Sequence, residues 1–251
     1  MLTPLPEVPP TPGSDASSSL LPLLPLAPVA PAVPDGAVAA PRPVTPGITV
    51  RRGGLVDVNA VVRMLTAGNR HIDIDGDGEP DGPLDPEAAG SAARMALSHV
   101  VLDRGDLWVA HDVAGDLQAI SVWMPGDVEG VAAELRQVLE RELGTTDPGE
   151  AIGPSPHVRP QLMGAMQAVL EQALVLQPRL VLFAVTVAPQ VDPAAVVELA
   201  RAVVAPVVSG DGDVLAVALD GDRARLLEAV GFAEVAQVPL GADHALWLGR
   251  A

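Results

Sequence analysis

Residues 179–189 read RLVLFAVTVAP, an almost uninterrupted run of apolar and β-branched side chains. A run of this length without polar alternation is typical of a strand that is buried on both faces of a sheet. We therefore expect residues 179–189 to form the central strand and the core of the fold.

The segments on either side of this strand alternate between helical and strand periodicity. Downstream, the pattern predicts helices over 193–204 and 222–230 and strands over 213–219, 233–240 and 244–250. Upstream, it predicts a strand over 48–52, helices over 55–65, 86–101, 131–143 and 161–176, and an antiparallel hairpin of 106–113 and 117–124 that turns through 114–116. This order predicts a mixed α/β fold, with a mostly antiparallel central sheet flanked by helices.

The first 46 residues have a different composition, since they hold 13 of the 26 prolines. Proline lacks an amide donor and fixes φ, so we expect a disordered Pro/Ala-rich tail over 1–46 and one domain over 47–251. The apolar run of 20–30 has no preceding Lys or Arg and is interrupted by Pro22, Pro25 and Pro28, unlike a secretory signal peptide. We expect a cytoplasmic protein with no membrane-spanning segment.

Composition and charge exclude several classes of function. The formal net charge is −17, from 15 Lys+Arg against 32 Asp+Glu, which disfavours nucleic acids and anionic membranes as partners. The chain contains no cysteine, tyrosine or lysine. Disulfides, thiolate zinc sites, cysteine nucleophiles, Schiff-base lysines and tyrosine acids are therefore excluded.

An acidic insertion over 72–85 contains the sharpest local motif. Oxygen-bearing side chains alternate along it with a glycine in the sixth position, as in a calcium-binding loop; the candidate ligands are Asp73, Asp75, Asp77 and Asp81. The twelfth position, where such a loop needs a bidentate glutamate, is Leu84. We therefore predict weak Ca2+ binding or none, and the alternative is an open, self-repelling acidic insertion.

The stretch 223–240, RARLLEAVGFAEVAQVPL, carries a resemblance to a known family. Its LLEAVGF segment resembles the helix that ends in a Gly-Phe pair before the last hairpin of the GCN5-related N-acetyltransferase (GNAT) superfamily. The order of elements over 47–251 also resembles that fold, with 127–176 as extra helices. The resemblance implies transfer of an acyl group, acetyl above all, from acyl-CoA to a small-molecule or protein amine.

The resemblance also implies where acyl-CoA would bind. In active members, the strand matching 181–187 splays from its neighbour and its backbone contacts the pantetheine arm, which points here to Val185 and Val187. A following Q/R-x-x-G-x-G/A loop presents its amides to the pyrophosphate at a helix N-terminus, where unpaired N–H groups and the helix dipole attract anions.

This pyrophosphate loop is degenerate in the present chain. Asp192 stands where Gln or Arg is expected, and Ala195 and Val197 replace the two small residues. Starting the motif at Gln190 instead places Pro193 at the first glycine, so neither register restores it. A carboxylate repels a diphosphate and proline has no amide to donate. The simpler reading is an ordinary helix with Asp192 as its N-cap and Pro193 as its first residue.

The catalytic groups of the family are not evident either. Leu227 occupies the position of the tyrosine that protonates the departing thiolate in many relatives, and leucine cannot donate a proton. Asp112, Glu171 and His157 are conceivable bases, although each is more readily explained as a solvated or turn residue. No catalytic residue is assigned.

Two functions remain open from the sequence. The first is an N-acetyltransferase that uses acetyl-CoA, and the second is a catalytically dead GNAT-fold binding or interaction module. Arg201, Arg223 and Arg225 are the cations best placed to meet the CoA nucleotide phosphate, but they could equally pair with Glu198 or Glu228. The oligomeric state is not indicated.

Overall fold

The computed structural model describes residues 47–68, 81, 85–143, 158–219, 221–240 and 244–251. These residues do not include the predicted tail (1–46), most of the acidic insertion (72–85) or residues 144–157.

The described residues form seven strands and six main helices. The strands are β1 (Thr49–Arg52), β2 (Asp106–His111), β3 (Leu117–Pro125), β4 (Leu180–Val187), β5 (Val214–Ala218), β6 (Ala233–Leu240) and β7 (His244–Arg250). The helices are α1 (Val58–Gly68), α2 (Pro86–Ala96), α3 (Val128–Leu143), α4 (Arg159–Leu176), α5 (Val196–Val208) and α6 (Gly221–Val230). Short 3-10 turns, Leu55–Asp57 and Pro193–Ala195, precede α1 and α5, and a π-helical turn, Leu97–Val101, follows α2. Among these residues, no helix combines the length and apolar character needed to cross a bilayer.

The strands form one sheet in the order β1-β2-β3-β4-β5-β7-β6. All neighbours are antiparallel except β4 and β5, which are parallel. The predicted mixed, mostly antiparallel α/β class is therefore confirmed, and β4 occupies the centre of the sheet as its apolar run predicted.

Helices cover both faces of the sheet. Along β3, Ile120 and Val122 pack with α1, α2 and α3 on what we call the α1 face, whereas Ala119 and Trp123 pack with α5 and α6 on the α5 face. Helix α4 lies against β6 and contacts α3, so it extends the layer on the α1 face. Period-2 alternation along the strands thus divides the core into two layers.

Helix α5 extends further than its sequence predicts. The sequence pattern predicts an end at 204, and Pro206, inside the last turn, cannot donate to the carbonyl four residues back. The helix nevertheless continues to Val208. Arg179 donates from Nη2 to the Val207 carbonyl at 3.0 Å, and Ser209 donates from Oγ to the Ala205 carbonyl at 2.7 Å. These side chains hold the last turn beyond the proline.

The Gly-Phe pair ends α6 in the way its sequence suggests. Gly231 has a φ of +119°, and its N–H donates to the Glu228 carbonyl. A positive φ of this kind favours glycine because it has no Cβ. Phe232 is buried, and its ring stacks on Trp123 with centroids 6.4 Å apart. The pair therefore stops the helix and anchors it to the centre of the sheet.

Candidate functional site

The central parallel strands separate along their length. Only Leu180–Leu182 of β4 pair with β5, opposite Val214–Ala216. Strand β4 continues for five residues beyond this point, to Val187, and remains paired with β3 on its other side. A cleft therefore opens between β4 and β5 towards their carboxyl ends, where ligands bind in open parallel sheets.

Beyond Leu182, no described strand pairs with β4 on the side that faces this cleft. The Ala188 N–H donates to the Gln118 carbonyl of β3 at 2.8 Å. Since successive residues of a strand direct their backbone groups to opposite sides, Val187 and Val185 direct theirs away from β3 and into the cleft. No described residue of β5 pairs with either of them.

The walls of the cleft are mainly apolar. Val185, Val187, Leu227 and Trp247 belong to the same buried cluster on the α5 face, each at most 9% exposed. Thr186 lies between the two valines and is 5% exposed, with its side chain on the opposite face by alternation. Its Oγ1 has no hydrogen-bond partner among the described residues.

The helix start beside the cleft is closed by its own residues. Asp192 accepts the Ala194 N–H on Oδ1 at 2.9 Å and the Ala195 N–H on its carbonyl at 2.8 Å, while Val196 donates to the Pro193 carbonyl. Pro193 has no N–H to offer. The amides of the first turn are therefore already engaged, and the N-cap role expected of Asp192 is confirmed. Whether Asp192, or Ala195 and Val197 behind it, contact a cofactor stays a prediction.

Where the structure describes the proposed acid and base positions, their side chains have other roles or surroundings. Leu227 is buried at 3% exposure. Asp112 accepts the Ala114 and Asp116 amides, both at 2.9 Å, and so belongs to the turn of the hairpin. Glu171 is exposed on α4. His157 lies outside the described residues.

The cations expected near a CoA phosphate have other partners. Arg201 donates from Nη2 to the Ala229 carbonyl at 2.6 Å, at the end of α6. Arg225 pairs with Asp222 rather than with Glu228. Arg223 is buried at 7% exposure and also has a partner. Held in these contacts, the three side chains stabilise the protein itself.

A small cavity lies on the α1 face beside β4. It has a volume of about 10 Å3, room for about one water molecule. Its lining is entirely apolar: Leu65, Ala93, Ala96, Leu97, Val101, Val122, Met124 and Phe183. No lining residue could bind or deprotonate an amine.

Of the four calcium ligands predicted from the sequence, the structure describes one. Asp73, Asp75 and Asp77 lie outside the described residues, whereas Asp81 is described and is buried at 3% exposure. Within the described ranges, no three His, Asp or Glu side chains come together in a way that could hold a metal ion. Calcium binding has no support from the structure.

An ion pair at the start of α1 was not anticipated from the sequence. Arg51 donates through both Nη atoms to Asp57, at 2.7 and 2.8 Å, and the Gly54 N–H donates to the same carboxylate at 2.9 Å. These contacts hold the pKa of Asp57 below its usual value, mainly through the Arg51 hydrogen bonds, and raise the pKa of Arg51. His111 Nε2 lies 4.0 Å from the carboxylate. The pair fastens the turn before α1 to β1, at one edge of the sheet.

Solved structures share this arrangement of strands and helices. An agmatine N-acetyltransferase in its apo form has a TM-score of 0.51 at 14% identity, covering 82% of this chain and 99% of that one. A Drosophila melanogaster polyamine N-acetyltransferase, which forms N-acetylagmatine, gives 0.51 at 14% identity, covering 81% and 99%. The C-terminal condensation domain of Ebony, in complex with β-alanyl-dopamine, gives 0.51 at 10% identity, covering 81% and 98%.

No protein-family model and no curated protein matches the sequence. At these identities the likeness establishes the fold, which is that of the GNAT acetyltransferases, as the Gly-Phe pair and the order of elements indicated.

Proposed function

We propose that this protein is a GNAT-fold binding module that does not use acyl-CoA as an acyl donor. The observation that carries the proposal is the capped helix start, where the Asp192 carboxylate holds the Ala194 amide that a diphosphate would need. An anion site at a helix N-terminus works through free N–H groups, and here they are engaged.

Charge repulsion at Asp192 also disfavours the binding of acyl-CoA. A unit negative charge of a diphosphate placed about 4 Å from the Asp192 carboxylate would be repelled by about 1 to 4 kcal/mol, depending on the effective dielectric constant. The nearby cations cannot offset this without losing their own contacts, because Arg201 and Arg225 are bound to Ala229 and Asp222. The start of α5 therefore offers no free N–H group to the pyrophosphate of a CoA nucleotide, and the Asp192 carboxylate repels its negative charge.

The second candidate function is acyl transfer from acetyl-CoA to an amine. It is favoured by the cleft itself, where the backbone of Val185 and Val187 is unpaired. The similar structures belong to proteins that act on agmatine or polyamines, so the acceptor would be a small-molecule or protein amine. Since the amine and thioester can react largely through proximity, the leucine at 227 would not by itself abolish activity.

Calorimetric titration with acetyl-CoA separates the two functions. We expect no saturable binding up to about 1 mM, which corresponds to about 4 kcal/mol of binding free energy. A parallel assay should detect no free CoA thiol when acetyl-CoA is mixed with agmatine, spermidine or a lysine-containing peptide. Low-micromolar binding of acetyl-CoA would contradict the proposal, and turnover with any acceptor would establish the second candidate.

A further inference from the structure

We infer that the cleft between β4 and β5 binds an extended, basic peptide, which adds a strand to the free side of β4. The inference rests on the proposed function, because a peptide and acyl-CoA would compete for the same space. Its basis is the juxtaposition of an unpaired strand edge, a buried hydroxyl without a partner among the described residues, and an exposed carboxylate at the open end.

The unpaired edge of β4 determines the chemistry of the ligand. Val185 and Val187 each present one N–H and one carbonyl towards the cleft, two residues apart, while their side chains are buried. Buried backbone groups need hydrogen-bond partners. A peptide in extended conformation presents donors and acceptors with the same spacing of about 6.8 Å, as in β-strand addition to an open sheet edge.

A second observation comes from the side chain between the two valines. Thr186 is 5% exposed, and its Oγ1 has no partner among the described residues. Trp247 stands on β7 opposite Ala218, on the far side of β5 from the cleft, and its buried Nε1 also lacks a partner among the described residues. Most buried polar side chains in proteins are hydrogen-bonded, so the Thr186 hydroxyl, on the α1 face of β4, is a group that a side chain of the inserted strand would satisfy.

The charges at the open end select a basic ligand. Asp192 is exposed five residues beyond the end of β4, beside the cleft. Arg225 at this end is already paired with Asp222. The net charge of −17 adds a long-range attraction for cations. A lysine or arginine side chain flanking the inserted strand would meet this carboxylate.

The experiment uses the full chain and three synthetic probes. The first is the acetylated, amidated hexapeptide (Lys-Val)3, the second is the same peptide N-methylated at alternate residues, and the third is (Glu-Val)3. We expect only the first to shift the amide NMR signals of 185–187, and N-methylation to weaken binding at least about tenfold, because it removes strand hydrogen bonds. The exposed edge strands β1 and β6 serve as internal controls.

Three variants and one control, Val187→Ala, test the geometry within the protein. Val187→Pro removes one N–H that faces the cleft but no bond to β3, and should weaken peptide binding about tenfold, whereas Val187→Ala keeps the amide and should have little effect. Thr186→Val preserves shape and removes the free hydroxyl, so it should reduce affinity about threefold without lowering stability. Asp192→Asn keeps a capping oxygen and should weaken binding mainly at low salt.

The outcomes distinguish this inference from the proposed function. Signal changes confined to β1 or β6, equal binding of the N-methylated peptide, or no binding of (Lys-Val)3 at about 1 mM would each overturn the inference. None of these results would make acetyl-CoA bind, so the proposed function would stand. Conversely, tight binding of acetyl-CoA that (Lys-Val)3 fails to displace would overturn both.

Discussion

Two helices of this protein begin with the same dipeptide, Asp-Pro, in different regions of the fold. Asp85 starts α2 at the periphery, where its Oδ1 accepts the Glu87 and Ala88 amides, both at 3.0 Å. Asp192 stands before α5 beside the cleft, and its Oδ1 accepts the Ala194 amide. Both are conventional N-caps followed by proline in the first turn.

The difference between the two lies in their surroundings. At Asp85, a cap only stabilises a helix. At Asp192, the same chemistry lies beside the cleft, where the resemblance to GNAT acetyltransferases predicts a pyrophosphate site. The N–H groups at a helix start can therefore donate to a capping side chain or to a bound anion. An N–H group that already donates to the cap is not available to the anion.

The largest effect is expected at a third aspartate near a helix start, Asp57, whose carboxylate is held by a guanidinium as well as an amide. Asp57→Asn should lower the free energy of unfolding by about 2 to 3 kcal/mol at pH 7, less than for a fully buried pair because Arg51 is 44% exposed. Urea denaturation of both proteins measures this loss.

The effect of Asp57→Asn should also depend on pH. Since the pKa of Asp57 is lowered in the folded state, its contribution is complete above the unfolded value of about 3.9 and is lost as the pH falls through the lower folded value. The difference between wild type and Asp57→Asn should therefore shrink in acid. The exposed Asp103→Asn variant is the control, and a difference that stays constant down to pH 2 would refute the assignment.

The next effect concerns the anion site. The triple change Asp192→Arg, Ala195→Gly and Val197→Gly should strengthen acetyl-CoA binding by about 1 to 3 kcal/mol, since it replaces a repulsion by an attraction and frees backbone amides. Each glycine should cost up to about 1 kcal/mol of helix stability. Calorimetry on both proteins measures the gain in binding.

The matched control for the triple change is Asp85→Arg with Ala88→Gly, which opens the other Asp-Pro cap. It should leave acetyl-CoA binding unchanged. If both variants gain the same affinity for acetyl-CoA, the gain is a general effect of the added positive charge. The start of α5 would then not differ from the start of α2 as an anion site.

A smaller effect separates the caps themselves. Asp85→Ala should destabilise the protein by about 1 to 2 kcal/mol and Asp192→Ala by about 0.5 to 1 kcal/mol, because Asp85 holds two amides and Asp192 one. Thermal denaturation gives the order, and the reverse order would show that the start of α5 is needed more for the fold than its hydrogen bonds indicate.

The smallest effect is expected from removing residues 1–46, whose prolines predict no packed structure. Both Asp-Pro caps lie beyond this segment, so the thermal midpoint of 47–251 should be nearly that of the full chain. A fall of more than about 5 °C would show that the segment packs on the domain. The dispensability of this segment remains a prediction, as does a cytoplasmic location.

The sequence alone determined the fold and the local chemistry at the degenerate loop. The apolar run of β4 placed it at the centre of the sheet, and Gly231-Phe232 marked the end of α6, because periodicity and glycine preference act within a few residues. The capping role of Asp192 was predictable for the same reason, since a cap and its amides are separated by two residues.

Only the tertiary structure decided which side chains and backbone groups have hydrogen-bond partners on other elements. The partners of Arg201 and Arg179 lie on other elements, as in the contact of Arg179 with Val207, 28 residues away. The unpaired backbone of Val185 and Val187 likewise depends on where β5 diverges from β4. Such contacts form between segments that are distant in sequence, so residue type and local spacing cannot specify them, and the packing of the sheet and its helices does.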